Sequence, residues 1–191
     1  LFLEAGRYMK LEQPDDVQFV MVSYMPIPNK IGEMKTKPTQ HAVRNLNSAG
    51  IQPDFIVARS EVEIDEPRRK KIAIHCNVNR DAVISAPDVD SIYHVPINFE
   101  KDGLGDMILD KFNLKAKKKD LVEWKKMVRT MENANKSSRK PAEIGIVGKY
   151  FATGDFNLSD SYISVIEAIK HGAIANKGKV NLHWINTSEI E

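Results

Sequence analysis

The residues best suited to chemistry lie in one short segment, 35–40, which reads KTKPTQ. A nucleoside triphosphate carries several closely spaced negative charges, and Lys35 and Lys37 can reach different phosphates as point charges. Neutral donors for the remaining phosphate oxygens are supplied by Thr36, Thr39 and Gln40. The segment lacks the glycines of a P-loop. The pattern indicates a triphosphate site, and a solvated basic loop is the alternative.

The flanking residues predict how this segment is held. Residues 17–24 form an apolar, β-rich run, as expected of a strand buried on both faces in a parallel sheet. Pro38 suits the first turn of a following helix, Thr36 is its predicted cap and Gly50 its predicted stop. A helix N-terminus there adds oriented N–H groups and the helix dipole to any anion site.

The wider pattern predicts an α/β fold with a three-layer, mostly parallel sheet. Further apolar strands are predicted at 55–58 and 82–85, with helices beginning near Pro67 and spanning 101–112. Strands that alternate with helices of about ten residues are typical of parallel sheets. Ligands of such sheets bind beyond the carboxyl ends of the strands, which is where 35–40 and the segment after the third strand fall.

Other candidate residues have plainer explanations when spacing alone is considered. Lys71 closes a basic run on a predicted helix, and a solvated face is the ordinary interpretation. Asp88 and Asp90 can bind ribose hydroxyls or a metal, although Asp90 is better placed to cap the turn from Ser91. The five histidines show no metal-ligand spacing. Cys76 lies among apolar residues and is predicted to be an inert core thiol.

Composition excludes several classes of function. The 191 residues carry a net charge of +2, which is no signature of nucleic-acid or membrane binding. No apolar run reaches the ~18 residues of a membrane span, and no signal peptide is visible. The single cysteine fits a reducing cytoplasm. Neither end resembles a natural boundary, so the chain is expected to be the middle of a longer protein.

Changes in composition and hydrophobic pattern along the chain predict that it has three parts. Residues 1–114 hold the strands and helices described above, and 115–141 read as a connecting amphipathic helix with a polar linker. Residues 142–191 predict a strand, a helix capped by Ser159 or Asp160, and a second strand. One such βαβ unit is too small to bury a core alone, so it is expected to begin a second α/β domain.

Several segments closely resemble the CTP synthase family, both in their amino-acid sequences and in their order along the chain. These are GEMKTKPTQHAV, GIQPDFIVARS, KIAIHCNV, AVISAPDVDSIYHVP, IGIVGKY and SDSYISVIEAIKHGA. The resemblance implies a P-loop amidoligase-like domain joined to a class I glutamine amidotransferase domain. It further implies a ligase in which ATP phosphorylates the UTP 4-oxygen and ammonia from glutamine then displaces phosphate to give CTP. Mg²⁺, activation by GTP, inhibition by CTP, a homotetramer and a cytoplasmic location are implied as well.

The resemblance also assigns roles to particular residues. The segment that binds UTP and the inhibitor CTP is matched by Lys35, Thr36, Lys37, Pro38, Thr39 and Gln40. Lys71 matches a further UTP/CTP-binding lysine, which replaces its interpretation as a solvated residue. A loop that contacts the adenine of ATP is matched by Pro87, Asp88 and Val89. The family often has lysine where this chain has Pro87, so a backbone contact is the one expected to persist.

Catalytic and metal-binding residues are expected outside this chain. The phosphate-binding Gly-rich loop and the Mg²⁺ ligands are expected upstream of Leu1, and the glutaminase cysteine and its partners downstream of Glu191. The chain alone is therefore expected to lack activity, and a nucleotide-binding or scaffold fragment is the alternative function. A dethiobiotin synthetase relative is a third possibility, which the KTKPTQ segment and the second domain disfavour.

Overall fold

The computed structural model describes residues 1–29, 32–118, 120–148, 152–153, 156–157 and 162–187. These fall into two compact units, Leu1–Asp120 and Leu121–Glu191, which are described separately. None of the helices in the described part of the chain has the length and apolar character needed to cross a membrane.

The first unit alternates strands with helices, as the sequence predicts. Its elements are α1 (Phe2–Glu12), β1 (Val20–Tyr24), α2 (Lys37–Ser48), β2 (Phe55–Ser60), α3 (Glu66–Cys76), β3 (Val83–Pro87), α4 (Val95–Lys101) and α5 (Leu104–Lys111). Short 3₁₀ turns occur at Arg80–Ala82 and Ile92–His94. The sheet has the order β1-β2-β3 and both pairings are parallel, with Val57 of β2 opposite Val22 and Ile84. The predicted α/β class with a parallel sheet is confirmed.

Alternation along β2 divides the first unit's core between the two faces of the sheet. Ile56 and Ala58 join a buried cluster with residues of α2 and α3, including Val43 and Ile72. Phe55 and its neighbours on the opposite face pack against α4 and α5. Because successive side chains of a strand point to opposite faces, one strand supports both layers of helices. The unit therefore has three layers.

Two features of the first unit differ from the prediction. β1 is not buried on both faces: Val22 is 65% exposed, because α4 and α5 pack against β2 and β3 and leave this face of the edge strand open among the described residues. The helix predicted over 101–112 begins later, at Leu104, and a separate helix, α4, ends at Lys101. Gly103 separates them with φ +73°, a left-handed conformation that ends α4 and that glycine adopts without steric cost.

The second unit is a small βαβ arrangement with an additional helix. Its elements are α6 (Val122–Asn135), β4 (Ala142–Gly148), β5 (Ala152–Thr153), β6 (Phe156–Asn157), α7 (Ile163–Ala175) and β7 (Val180–Asn186). β4 and β7 are parallel neighbours, and β5 pairs with β6 in antiparallel fashion. A buried cluster of Ile146 and Ile166 is supported by Tyr162, Ile169, Leu182 and Trp184, and Val128 and Ala134 of α6 are also buried.

The second unit can be compared with three predictions from the sequence, which concern α6, the cap of α7 and the domain to which 142–191 belong. The helix that the sequence assigns to a connecting segment, α6, lies within this unit and contacts α7. The predicted caps Ser159 and Asp160 lie outside the described residues, and Tyr162 stands at the N-cap of α7 without a side-chain capping bond. Assignment of 142–191 to an amidotransferase domain stays a prediction.

Candidate functional site: a cationic cleft at the carboxyl edge of the sheet

The three parallel strands of the first unit end at one edge of the sheet, where α2 and α3 also begin. A cleft of about 670 Å³ opens at this edge between the loop after β1 and the first turns of α3. Its lining residues are Pro26, Glu33, Met34, Lys35, Thr36, Lys37, Pro38, Pro67, Arg68 and Lys71. Five of the predicted UTP/CTP-binding residues are therefore neighbours here: four come from the KTKPTQ segment, and the fifth, Lys71, comes from a distant part of the sequence.

Alternating burial explains why the two lysines of the KTKPTQ segment face the cleft. Met34 and Thr36 are buried, whereas Lys35 and Lys37 between and after them are partly or largely exposed. The N–H of Lys35 donates to the carbonyl of Pro26 at 2.9 Å, which holds the loop against the end of β1. The apolar anchor at Met34 and this backbone bond hold the stretch of backbone that carries both lysines.

The opposite wall is the first turn of α3. The Asp65 carboxylate caps this helix by accepting the N–H of Arg68 at 3.0 Å. Arg68 and Lys71 are three residues apart and so lie on one helical face, toward the cleft. The Arg68 Nε donates to the carbonyl of Met34 at 3.1 Å and ties α3 to the β1 loop. The cleft therefore has cations on both walls.

One carboxylate partly balances these cations. The Nζ of Lys35 lies 2.7 Å from Glu33 Oε2, and the Nη2 of Arg68 lies 3.5 Å from Glu33 Oε1. The hydrogen bond from Lys35, followed by the charges of Lys35, Arg68 and Lys71, holds the pKa of Glu33 below its usual value. Four cationic side chains face one anionic side chain among the described lining residues, so the cleft favours an anionic ligand.

The neutral residues of the segment are turned into the fold. Thr39 is fully buried, and its hydroxyl lies 2.9 Å from the hydroxyl of Ser23. Gln40 is also buried and donates its amide to Thr36 Oγ1 at 3.1 Å. Neither Thr39 nor Gln40 is among the residues lining the cleft. Their predicted contacts with a nucleotide stay predictions, while their described role is to hold the start of α2.

Two predicted caps differ in the structure. Thr36 occupies the N-cap of α2, but its side chain makes no capping bond, since its backbone is already helical (φ −92°, ψ −16°) instead of extended. Asp90 does not cap the turn after β3. That role belongs to Ser91, whose side chain accepts the N–H of Tyr93.

The predicted ATP-contacting residues lie at the same edge but do not line the cleft. Asp88 donates its N–H to the carbonyl of Ser60 at 2.8 Å, and its carboxylate lies 2.6 Å from Arg59 Nη2. These bonds join the ends of β2 and β3. Pro87 borders a separate cavity of about 230 Å³, and Val89 is half-buried. Their predicted contact with adenine stays a prediction.

Sequence reasoning missed two charged residues of the cleft, Glu33 and Arg68. The three-residue spacing of Arg68 and Lys71 behind the capping Asp65 was an available signal, because it places both cations on one helical face. Cys76 is confirmed as a buried thiol, and burial raises its pKa to about 11, which keeps it unreactive. Among the described residues there is no group of three or more potential metal ligands.

The fold and the cleft define a parallel α/β protein with an anion-attracting site beyond the carboxyl ends of its strands. Residues 1–114 match the family model described as CTP synthase N-terminus. The chain is 47% identical over 191 residues to the CTP synthase of Pyrococcus abyssi, 44% over 191 residues to that of Methanococcus maripaludis and 43% over 192 residues to that of Symbiobacterium thermophilum. It therefore belongs to the CTP synthase family, as its motifs predicted.

These comparisons extend over the whole chain but over 34% of each relative. The chain thus spans about a third of the length of these curated relatives.

Proposed function

We propose that this chain supplies the pyrimidine-nucleotide cleft of a protein that converts UTP to CTP, using ATP and ammonia released from glutamine. The observation that carries the proposal is the convergence of Lys35 and Lys37 with Lys71 on one cleft at the carboxyl edge of the sheet. Residues from two separate elements, all of one charge, match the closely spaced charges of a triphosphate.

Size and charge both support a nucleotide as the ligand. The volume of about 670 Å³ is within the range of about 300–1,000 Å³ for small-molecule sites. The three lysines act as point charges toward the phosphates, and α2 begins at this end of the cleft, so that the positive end of its dipole also favours an anion. The contribution of these residues is to position the pyrimidine nucleotide for attack on ATP, which lowers the barrier without bond-making by the lysines themselves.

The remaining assignments are part of the same proposal. The backbone of 87–89 would contact the adenine of ATP, and the bonds of Asp88 to Ser60 and Arg59 support a fixed shape for that loop. The β4–α7–β7 arrangement of the second unit would begin the amidotransferase domain that releases ammonia. A homotetramer in the cytoplasm and activation by GTP are further expectations of the family.

Mg²⁺ is also implied by the family, but the cleft does not fit a resident metal site. Mg²⁺ prefers oxygen ligands, whereas the charged lining residues are four cations and Glu33. We therefore assign no step to a metal held by the described residues. The proposal for these residues is confined to binding and orienting nucleotides.

The test is Lys37→Ala, with UTP and CTP affinities measured by calorimetry. Loss of one charge-assisted contact should weaken both by about 1.5–3 kcal/mol. Lys170→Ala is the matched control, since Lys170 is an exposed lysine of α7 that pairs with Glu167 at 2.9 Å. Unchanged affinity of the Lys37 variant for both nucleotides would contradict the triphosphate assignment.

A binding function without catalysis by this chain is the second candidate. It is favoured by the chemistry of the cleft, whose described lining residues include cations and prolines but no cysteine, serine or histidine. The 191-residue chain should bind UTP and form no CTP from UTP, ATP and ammonia. CTP formation above the level of a protein-free control would exclude this candidate.

A further inference from the structure

Glu33 is the only carboxylate among the described residues that line the cleft. It forms ion pairs with cations that a triphosphate would need. Its two oxygens are divided between the walls: Oε2 accepts from Lys35 at 2.7 Å, and Oε1 lies 3.5 Å from Arg68 Nη2. A carboxylate in this position satisfies the same donors that phosphate oxygens would use. It therefore competes with an anionic ligand.

We infer that Glu33 is an internal counter-ion of the cleft, which holds Lys35 and Arg68 until the triphosphate displaces it. The inference rests on the proposed function, because it takes the ligand to be the triphosphate of a pyrimidine nucleotide. It also assigns to Arg68 a phosphate contact made through the nitrogen that Glu33 leaves.

The surroundings of Glu33 allow it to leave. Its side chain is 55% exposed, so the carboxylate can turn into water without a burial cost. The preceding residue is Gly32, which has φ +63°, and, chain neighbours aside, no atom of the described residues lies within 4 Å of the place where its Cβ would stand. Exposed ion pairs are individually weak, so a ligand with several charges can replace both pairs.

Arg68 is held in place by different contacts and so remains when Glu33 departs. Its Nε donates to the Met34 carbonyl at 3.1 Å, and its Nη1 pairs with Asp65. Asp65 is itself fixed, since its other oxygen accepts the N–H of Arg68 as the cap of α3. The guanidinium thus keeps its position through Nε and Nη1, and Nη2, which pairs with Glu33, becomes available to phosphate when Glu33 leaves. Glu33 is the mobile partner and Asp65 the permanent one.

The experiment compares UTP affinity in the parent chain, Glu33→Gln and Glu66→Gln. Glutamine keeps the shape of the side chain and removes its charge. Affinity of Glu33→Gln should rise about three- to tenfold, since two weak ion pairs and the repulsion of the ligand are lost together. Glu66 is the matched control: it is 54% exposed, pairs with Arg80 at 2.8 Å and does not line the cleft. Its variant should match the parent.

A background substitution separates direct competition from general repulsion. In a Lys35→Ala chain the carboxylate has lost its closest partner, so the gain from Glu33→Gln should shrink. An equal gain in both backgrounds would overturn the inference, as would unchanged or weaker UTP binding by Glu33→Gln in the parent background.

The pattern of results distinguishes this inference from the proposed function. If Lys37→Ala weakens UTP binding and Glu33→Gln has no effect, the nucleotide cleft stands and the counter-ion role is wrong. If the parent chain binds no UTP, both are wrong.

Discussion

The two units contain the same kind of parallel strand pairing but cover their sheets differently. In the first unit, buried clusters lie on both faces of the sheet, and β2 contributes to each of them. In the second unit, Ile146 and Ile166 form a small cluster on one face of the β4–β7 pair. The other face carries Glu143, His183 and exposed apolar residues such as Val147.

This difference shows what a binding site requires from the fold beneath it. The cleft of the first unit has two walls whose loops and helix starts are anchored on buried side chains, Met34 from one wall and Ile72 from the helix of the other. Such a core holds the backbones that carry the charged side chains, since close-packed interiors resist small displacements. The described part of the second unit has a smaller core, and both partners of its His183–Glu143 pair are exposed.

The largest expected effect is that of removing a side chain from the doubly covered sheet. Phe55 is 1% exposed in β2, and Phe55→Ala should lower the free energy of unfolding of the first unit by about 3–5 kcal/mol. Hydrogen exchange of the β2 amides measures this loss for the unit itself.

Val22→Ala is the control for Phe55→Ala, since Val22 lies on the same face of the sheet but on the uncovered edge strand. Its effect should stay within about 0.5 kcal/mol. A loss of stability as large as that of Phe55→Ala would mean that β1 is covered on both faces. The contrast between the covered strand β2 and the open edge strand β1 would then be wrong.

A smaller effect is expected for the buried hydroxyl pair behind the cleft. Thr39→Val leaves the Ser23 hydroxyl without its partner at 2.9 Å, and this should cost about 1–3 kcal/mol. Thr39→Val with Ser23→Ala should cost less than the sum of the single changes, because both polar groups are then absent. Additive losses in chemical denaturation would show that the two hydroxyls do not depend on each other.

The smallest effect is expected on the open face of the second unit. Hydrogen bonds from His183 and Asn181 hold the pKa of Glu143 below its usual value of 4.5. A lowered folded-state pKa gives stability that is present above the unfolded value and is lost as pH falls through the folded value. Glu143→Gln should therefore lower the melting temperature slightly at pH 6, and the difference should vanish on acidification to about pH 3. A difference that persists there would contradict this origin.

Prediction from the sequence succeeded where one physical signal was sufficient. Continuous apolar runs predicted the three strands of the first unit, and Pro38 and Pro67 predicted where α2 and α3 begin. Prediction failed where the burial of a residue depends on packing between elements. The run 17–24 has the composition of a strand that is buried on both faces of a sheet, but whether a helix covers β1 depends on where α4 and α5 pack.

The candidate site divides in the same way. The charge pattern of 35–40 and its place after a strand were sufficient to predict an anion site. Residue type did not reveal that Thr39 and Gln40 turn inward to Ser23 and Thr36, since the same donors can serve a ligand or the fold. Lys71 was assigned through resemblance to a family, because its local pattern is that of a solvated helix face.

The amino-acid sequence therefore determined the elements, their parallel arrangement and the edge at which the cationic cleft opens, because these follow from hydrophobic periodicity and the chemistry of helix ends. Tertiary packing decided which charges meet. The bond from Lys35 to Pro26 and the rotation of α3 bring Lys71, Arg68 and Glu33 to one cleft, and such meetings depend on distances between elements that local sequence does not encode.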